Sequence, residues 1–259
     1  MPKLWGLPRS HLMKIALMSD LHANRQATEA VWAHLQELGF DQLALLGDYV
    51  DYGADPAWVV DFVQQRIQEG AIALKGNHDE AVALTGEQGL ASHVQASLVW
   101  TRQQLSASQR EWLNSLPLTA RIGPCEIAHA NTANPAEWGY IHSRLEAVSS
   151  LFASEANVVF CGHMHEPALY HLTTTGKVGD FTPTEGVAIP LSSARRWLAI
   201  PGSVGQPRDG NPAACCAVFD TDTNHLTFHR VPYDHEAASQ AIVAAGLPAF
   251  LAERLHNGR

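Results

Sequence analysis

Nine residues of this chain pair side chains fit for metal or acid-base chemistry with a common place in the sequence pattern. Asp20 and His22 stand in SDLH, Asp48 in LLGDYVDYG, Asn77, His78 and Asp79 in KGNHDE, His129 in CEIAH, and His163 and His165 in CGHMH. Each group follows directly on a short apolar run. Taken singly, an Asp or His in such a place is more often a cap or a turn former. Taken together, carboxylates, an amide and several imidazoles gathered at one edge would be costly to desolvate without a compensating partner. Divalent cations are such a partner. Carboxylate oxygens, imidazole nitrogens and an amide oxygen suit Mn, Fe, Zn or Co, and the absence of a neighbouring thiolate argues against a structural zinc knot.

The elements that must carry these residues alternate. MKIALMS (13 to 19) reads as a strand ending at Asp20, and QATEAVWAHLQEL (26 to 38) repeats Ala27, Val31, Leu35 and Leu38 at helical spacing before Gly39. QLALL (42 to 46) is a second strand. Asp55 and Pro56 then open a helix with Val59, Phe62, Val63 and Ile67 on one face, and AIAL (71 to 74) is a third strand. This order predicts parallel strands joined by helical crossovers, whose carboxyl ends share one edge. The pattern from 90 to 116 is helical, with Ser106 and Gln109 as a capping box. ARIG and CEIAH are strand-like around a Gly-Pro turn. A helix over about 141 to 153, with Leu145, Val148 and Phe152 facing the core, leads to the strand NVVFC (157 to 161).

Beyond that point ALYHLTT, RWLAI, AACCAVFD and HLTFHRV are short runs between turns, most simply an antiparallel or mixed second sheet. The segment 173 to 195, rich in Thr, Ser, Gly and Pro, reads as a surface hairpin or loop near the site. Asp234 caps a final helix that ends near Gly246, and PAFLAERL adds a further turn or two. The expectation is a two-sheet α/β sandwich with helices on the outer faces, a single domain over 1 to 259 with 234 to 259 as a C-terminal helical extension.

Composition excludes several classes. With 46% apolar and 17% charged residues in 259, the chain reads as one well-packed globular protein rather than a disordered or fibrous one. No apolar stretch is long enough to cross a bilayer, and MPKLWGLPRS lacks the apolar core of a secretory signal, so a cytoplasmic protein without membrane contact is expected. Cys125, Cys161, Cys215 and Cys216 sit in apolar runs and read as small core residues. A net charge of -9 argues against backbone-driven nucleic-acid binding, although bound cations would reverse the charge of their ligands locally.

In order and separation, SDLH, LLGDYVDYG, KGNHDE, AHAN, CGHMH and IPGSVGQPRDG resemble the successive motifs of the calcineurin-like metallophosphoesterases, over roughly residues 13 to 232. The closing motif looks like that of a small, single-domain bacterial branch. The resemblance implies two divalent metal ions, manganese first, with Fe, Zn, Co or Ni also accepted by such ligands. It places Asp20, His22, Asp48 and His165 on one ion and Asp48, Asn77, His129 and His163 on the other, with Asp48 shared. It also implies hydrolysis of a phosphoester by water activated to hydroxide between the cations. His78, adjacent to a ligand, would donate a proton to the leaving group, and Asp79 would orient it or raise its pKa. Asp79 and Glu80 also suit the opening of a helix.

Two departures bear on the substrate. Tyr52 stands where the protein-phosphatase branch carries an arginine that grips phosphate, and His129 is followed by Ala130 rather than glycine. Arg208 is then the foremost cation for a second phosphate or a carboxylate, ahead of Arg195 and Arg196, with Asn131, Tyr52, Trp138 and Tyr140 as further lining. The expected function is hydrolysis of phosphodiester bonds in a small substrate. The alternatives are a nucleotide phosphatase or dinucleoside-polyphosphate hydrolase and, ranked lower, a metal-stabilised binding protein without catalysis.

Overall fold

The computed structural model describes residues 13–84 and 92–259, with side chains in the second helical region from residue 95 onward. The N-terminal segment read for a secretory signal lies outside these residues, as do positions 90 and 91 of the helical pattern. Three parallel strands come first: β1 (Lys14–Met18), β2 (Gln42–Leu45) and β3 (Ile72–Ala73), connected by α1 (Arg25–Leu38) and α2 (Pro56–Gln68). Asn24 caps α1 by accepting from the Ala27 N–H at 3.1 Å, whereas Asp55 precedes the Pro56 that opens α2 without making a side-chain cap. α3 (Asn77–Ala83), α4 (Ser92–Gln104) and α5 (Ala107–Ser115) follow, the last opened by the Ser106–Gln109 capping box.

The hairpin β4 (Thr119–Ile122) and β5 (Cys125–Ala128), the helix α6 (Arg144–Ala153) and β6 (Val158–Cys161) start a second sheet. The late strands are β7 (Ala168–Thr173), β8 (Val178–Phe181), β9 (Ala188–Pro190), β10 (Arg195–Ile200), β11 (Ala214–Asp220) and β12 (His225–Val231). They do not form a sheet of their own. One sheet runs β3-β2-β1-β11-β12-β9 and the other β4-β5-β6-β10-β7-β8, so the late strands extend both earlier sheets. β11 lies antiparallel to β1 with Ile15 opposite Phe219, and β10 lies parallel to β6. The 173 to 195 segment supplies the β7–β8 hairpin to one sheet and β9 to the edge of the other.

Alternation along the strands builds three layers of core. Ile15 and Leu17 of β1 face inward with Phe160, Trp197 and Phe219 between the sheets, while Ala16 and Met18 face outward onto Val31, Leu35, Val59 and Val63 of the first two helices. The far side of the second sheet is covered by Ala147 and Leu151 of α6. Here the expected helix face is corrected. Leu145 and Phe152 are 78% and 70% exposed, and the buried stripe is Ala147, Ser150 and Leu151, with Val148 partly buried beside it. Ser150 serves packing through its polar groups, because its carbonyl and hydroxyl both bond Thr132, so a search for large apolar residues overlooks it. The chain closes with α7 (His235–Ala244) and α8 (Ala249–Asn257), which pack on each other and on Tyr52 and Trp100. No described helix is long and apolar enough to cross a membrane.

Candidate metal centre

The loops leaving β1 and β2 run side by side after the strands end. Leu46 donates to the Met18 carbonyl, Asp20 to that of Gly47, and His22 to that of Asp48, at 2.9 to 3.0 Å. This carries Asp20, His22 and Asp48 past the sheet in register. Gly47 is at φ 105°, and a Cβ there would meet the Gly76 nitrogen at 2.7 Å and His129 Nδ1 at 2.8 Å. A Cβ on Gly76 would fall 2.1 Å from Asp48 Oδ1. The glycines let three loops converge where a side chain would hold them apart.

From the second sheet come His129, just past β5, and His163 and His165, just past β6. Two clusters of ligand atoms result: Asp20, His22, Asp48 and His165 form one, and Asp48, His129 and His163 the other. Asp48 belongs to both. Asn77, the first residue of α3, adds its Oδ1 at 3.2 Å from His129 Nε2. The six carboxylate and imidazole residues are each 5% exposed or less.

Backbone carbonyls set the direction of the rings. His22 Nδ1 lies 3.1 Å from the Val50 carbonyl, His129 Nδ1 2.8 Å from that of Leu46, and His165 Nδ1 2.7 Å from that of Gln206. A carbonyl only accepts, so each Nδ1 carries the proton and each Nε2 turns its lone pair inward. His163 is the reverse case, its Nε2 donating to the Trp138 carbonyl at 3.1 Å and its Nδ1 left for the centre. The Nε2 atoms of His22 and His165 then face each other at 3.1 Å. Burial and the neighbouring His165 push His22 well below its ordinary pKa, and burial with the Arg208 charge pushes His165 down. Two neutral rings with opposed lone pairs suit a cation held between them.

Asp48 makes the same point from the carboxylate side. Its Oδ1 accepts from the His78 N–H at 2.8 Å, but Oδ2 is buried without a hydrogen bond, 3.2 Å from His129 Nε2 and 3.8 Å from His22 Nε2. An orphaned buried carboxylate oxygen aimed between imidazoles fits a shared metal ligand. Without that metal, the Asp48 charge, opposed by burial, pushes His129 up to about 9. Five of the ligand residues also hold left-handed backbone: Asp20 (55°), His22 (45°), Asp48 (55°), His163 (67°) and His165 (62°). Such conformations cost roughly 1 kcal/mol or more each and collect at functional sites.

These residues form a dinuclear metal-binding site, and the comparisons agree with it. Residues 13–224 match the description "Calcineurin-like phosphoesterase superfamily domain". The chain belongs to this superfamily. Among its relatives, an uncharacterized protein of Methanocaldococcus jannaschii is 32% identical over 252 residues, covering 95% of this chain and 98% of the relative. The crystal structure of a metallophosphoesterase from Sphaerobacter thermophilus is 34% identical, with a TM-score of 0.83 over 96% of this chain and all of that one. A hypothetical protein from Pyrococcus horikoshii shares the fold at 18% identity, with a TM-score of 0.78 over 95% and 98% of the two chains.

Around the phosphoesterase ligands, several expected roles change hands. Asp79 does not touch the His78 ring. Its Oδ2 accepts from the Asp48 and Gly76 N–H groups at 2.8 Å and its Oδ1 from that of Tyr49 at 2.9 Å, so it ties the loop after β2 to the start of α3. Burial and the Asp48 charge push its carboxyl up to about 7 against the pull of these N–H donors. The carboxylate on His78 belongs to Asp51, whose Oδ2 lies 2.8 Å from His78 Nδ1. Asp51 is fully buried, and its Oδ1 accepts from the Tyr52 N–H and the Ser97 hydroxyl. It stands in plain view in GDYVDYG, but nothing in its spacing distinguishes it from a turn aspartate.

Tyr52 lies between rings, its centroid 4.6 Å from His22 and 4.7 Å from His78, with its hydroxyl 3.1 Å from His78 Nε2. Arg208 reaches over Tyr52 at 5.9 Å, so a guanidinium does come to this side, from a different loop. Asn131 uses both ends of its amide to hold its own loop, donating to the Gly139 carbonyl and accepting from the Asn134 N–H. Trp138 supplies the carbonyl that orients His163, and the Tyr140 ring stacks on His163 at 4.0 Å. Arg195 and Arg196 open β10 at the end opposite the site, where Arg196 donates to the Ser154 and Ala156 carbonyls.

Proposed function

We propose that this chain is a metal-dependent hydrolase of phosphodiester bonds in a small substrate. The observation that carries the reading is the orphaned Asp48 Oδ2 among inward-facing imidazole nitrogens. Asp20, His22, Asp48 and His165 would hold one cation and Asp48, Asn77, His129 and His163 the other. When bound, two divalent cations supply Lewis-acid activation of water and offset the charge that develops on the phosphoryl oxygens. Manganese is the first choice among them on ligand chemistry, with Fe, Zn, Co or Ni acceptable.

The protein's own contribution centres on His78. Burial opposes, but Asp48 and Asp51 hold its imidazole above the ordinary pKa and so favour its protonated form. With Nδ1 donating to Asp51, the Nε2 proton lies against the Tyr52 hydroxyl at 3.1 Å, and exchanging that partner for a departing alkoxide would deliver it to the leaving group. Tyr52 positions that ring from the other side. Beyond it a cleft of about 550 Å³ is lined by Tyr140, His142, Met164, Glu166, Phe181 and Arg208, enough for one small organic group. A compact esterified group suits this cleft better than a polymer, in keeping with the net charge of -9. The four cysteines are buried and unpaired, in keeping with a reducing, cytoplasmic setting.

The test compares bis(p-nitrophenyl) phosphate with p-nitrophenyl phosphate on the Mn²⁺-loaded chain. Higher kcat/KM on the diester is expected. Faster monoester turnover would move the assignment to a phosphatase, and no turnover of either ester after loading with two metal equivalents would leave a binding protein.

A further inference from the structure

Two guanidinium groups from distant parts of the chain converge beside the metal centre. Arg208 donates to Gln206 Oε1 through Nε at 3.2 Å and Nη2 at 2.8 Å, and Arg254 of α8 donates to the same oxygen through Nη1 at 3.3 Å. Gln206 is 1% exposed and fixed at both backbone ends. Its N–H donates to the Ser203 hydroxyl, and its carbonyl accepts from the Nδ1 of the ligand His165. The shared acceptor is therefore one residue removed from the metal site.

Among the described residues neither Arg208 nor Arg254 forms an ion pair, and Asp209, adjacent to Arg208 in sequence, is bonded to Arg230. The acceptor that the two share is a neutral amide oxygen. Burial and the Arg208 charge push the Arg254 guanidinium down from its usual range, as expected for an uncompensated pair. Helix-end compensation and stacking on Phe250 at 5.5 Å would explain an arginine in the last turn of α8. They do not explain its guanidinium turned onto the acceptor that Arg208 already occupies. Both arginines remain partly exposed, Arg208 on the cleft also lined by Met164, which stands between the ligands His163 and His165.

We propose that Arg208 and Arg254 form an anion subsite for a second phosphoryl group of the substrate, so that the substrate class is a small molecule with at least two phosphates. This rests on the phosphoesterase reading for the group that is cleaved, but not for the group that is bound. Two planar forks presenting several N–H donors match phosphate oxygens, and the C-terminal helices thereby complete the site.

The experiment measures kcat/KM for diadenosine tetraphosphate and for bis(p-nitrophenyl) phosphate in the Mn²⁺-loaded wild type, Arg254→Gln and Arg254→Lys. Loss of one charge-assisted contact should lower the ratio of tetraphosphate to diester kcat/KM roughly 10- to 100-fold in Arg254→Gln, mainly through KM, with partial recovery in Arg254→Lys. An equal fall on both substrates, or an unchanged ratio, overturns the subsite. Calorimetric titration of the metal-free protein with inorganic tripolyphosphate separates this from the hydrolytic reading. Binding that weakens roughly tenfold in Arg254→Gln supports the subsite even if neither ester is cleaved, an outcome that would sink the phosphoesterase reading alone. Equal tripolyphosphate binding by both proteins, or none by the wild type, overturns the subsite even if esters are cleaved.

Discussion

Asp51→Asn tests the acid-base role of His78 with little change of shape. The Asp51 Oδ1 position accepts two donors, the Tyr52 N–H and the Ser97 hydroxyl, so the amide oxygen of the variant must remain there to keep both. The amide nitrogen then takes the place of Oδ2, 2.8 Å from His78 Nδ1. Two N–H donors cannot share that contact, and His78 must give up its Nδ1 proton and accept. The imidazolium loses a charge-assisted hydrogen bond of about 1.5–3 kcal/mol inside the protein, which corresponds to roughly 10- to 100-fold in the population of the protonated form. Turnover of a diester should fall by the same factor at pH above the native His78 pKa, and by less below it. The sign of the pH effect follows from the native bias: His78 is held above its ordinary pKa, so rate is lost as pH rises through this raised pKa. The variant should move this falling limb to lower pH. Metal content by elemental analysis should be unaltered, because Asp51 belongs to neither ligand cluster. A pH–rate profile with its falling limb unmoved and kcat within about twofold of wild type would refute the assignment.

His78→Ala should retain both metals and lose roughly 10²- to 10⁴-fold in kcat, whereas Asp48→Ala should lose metal as well as activity, and elemental analysis of the two variants distinguishes them. Equal metal loss in both would contradict the division of roles. In the metal-free protein His129 is raised from 6.5 to about 9, so its contribution to stability is complete below pH 6.5 and lost as pH rises through about 9. Thermal unfolding of the metal-free chain should show this decline, and calorimetry in buffers of different ionisation enthalpy at pH 7.5 should count about one proton released per metal bound at that site. Asp79→Asn replaces an acceptor by a donor against the Tyr49, Asp48 or Gly76 N–H groups and should cost about 3 kcal/mol in chemical denaturation. A loss below about 1 kcal/mol would show that those bonds are dispensable.

The carboxylate and imidazole residues of the two clusters could be read from the sequence because each follows an apolar run, and the carboxyl ends of β1, β2, β5 and β6 are where the fold brings chain segments together. Identity and position along the strand are local properties, and for Asp20, Asp48 or His163 they carry the chemistry. The early alternation of strand and helix was legible for the same reason, since its periodicity is short-range. Placement of the late strands was not. β7, β10, β11 and β12 have similar apolar character, and only pairing with β1 or β6 decides which sheet each extends.

The same limit applies within the site. Asp79 is one residue from His78 in sequence, yet its carboxylate is turned to the backbone of residues 48, 49 and 76, and Asp51, far off along the chain, takes the imidazole. The tautomers of His22, His129 and His165 depend on carbonyls 28, 83 and 41 residues away. Arg254 meets Gln206 only because the C-terminal helices fold back beside the loop that carries Tyr52. The sequence by itself determined which atoms are available to bind metal and in what order they arrive. Tertiary structure alone decided which of them point inward, which proton each ring keeps and which charges are left without a partner, because direction and desolvation are set by groups packed from elsewhere in the chain.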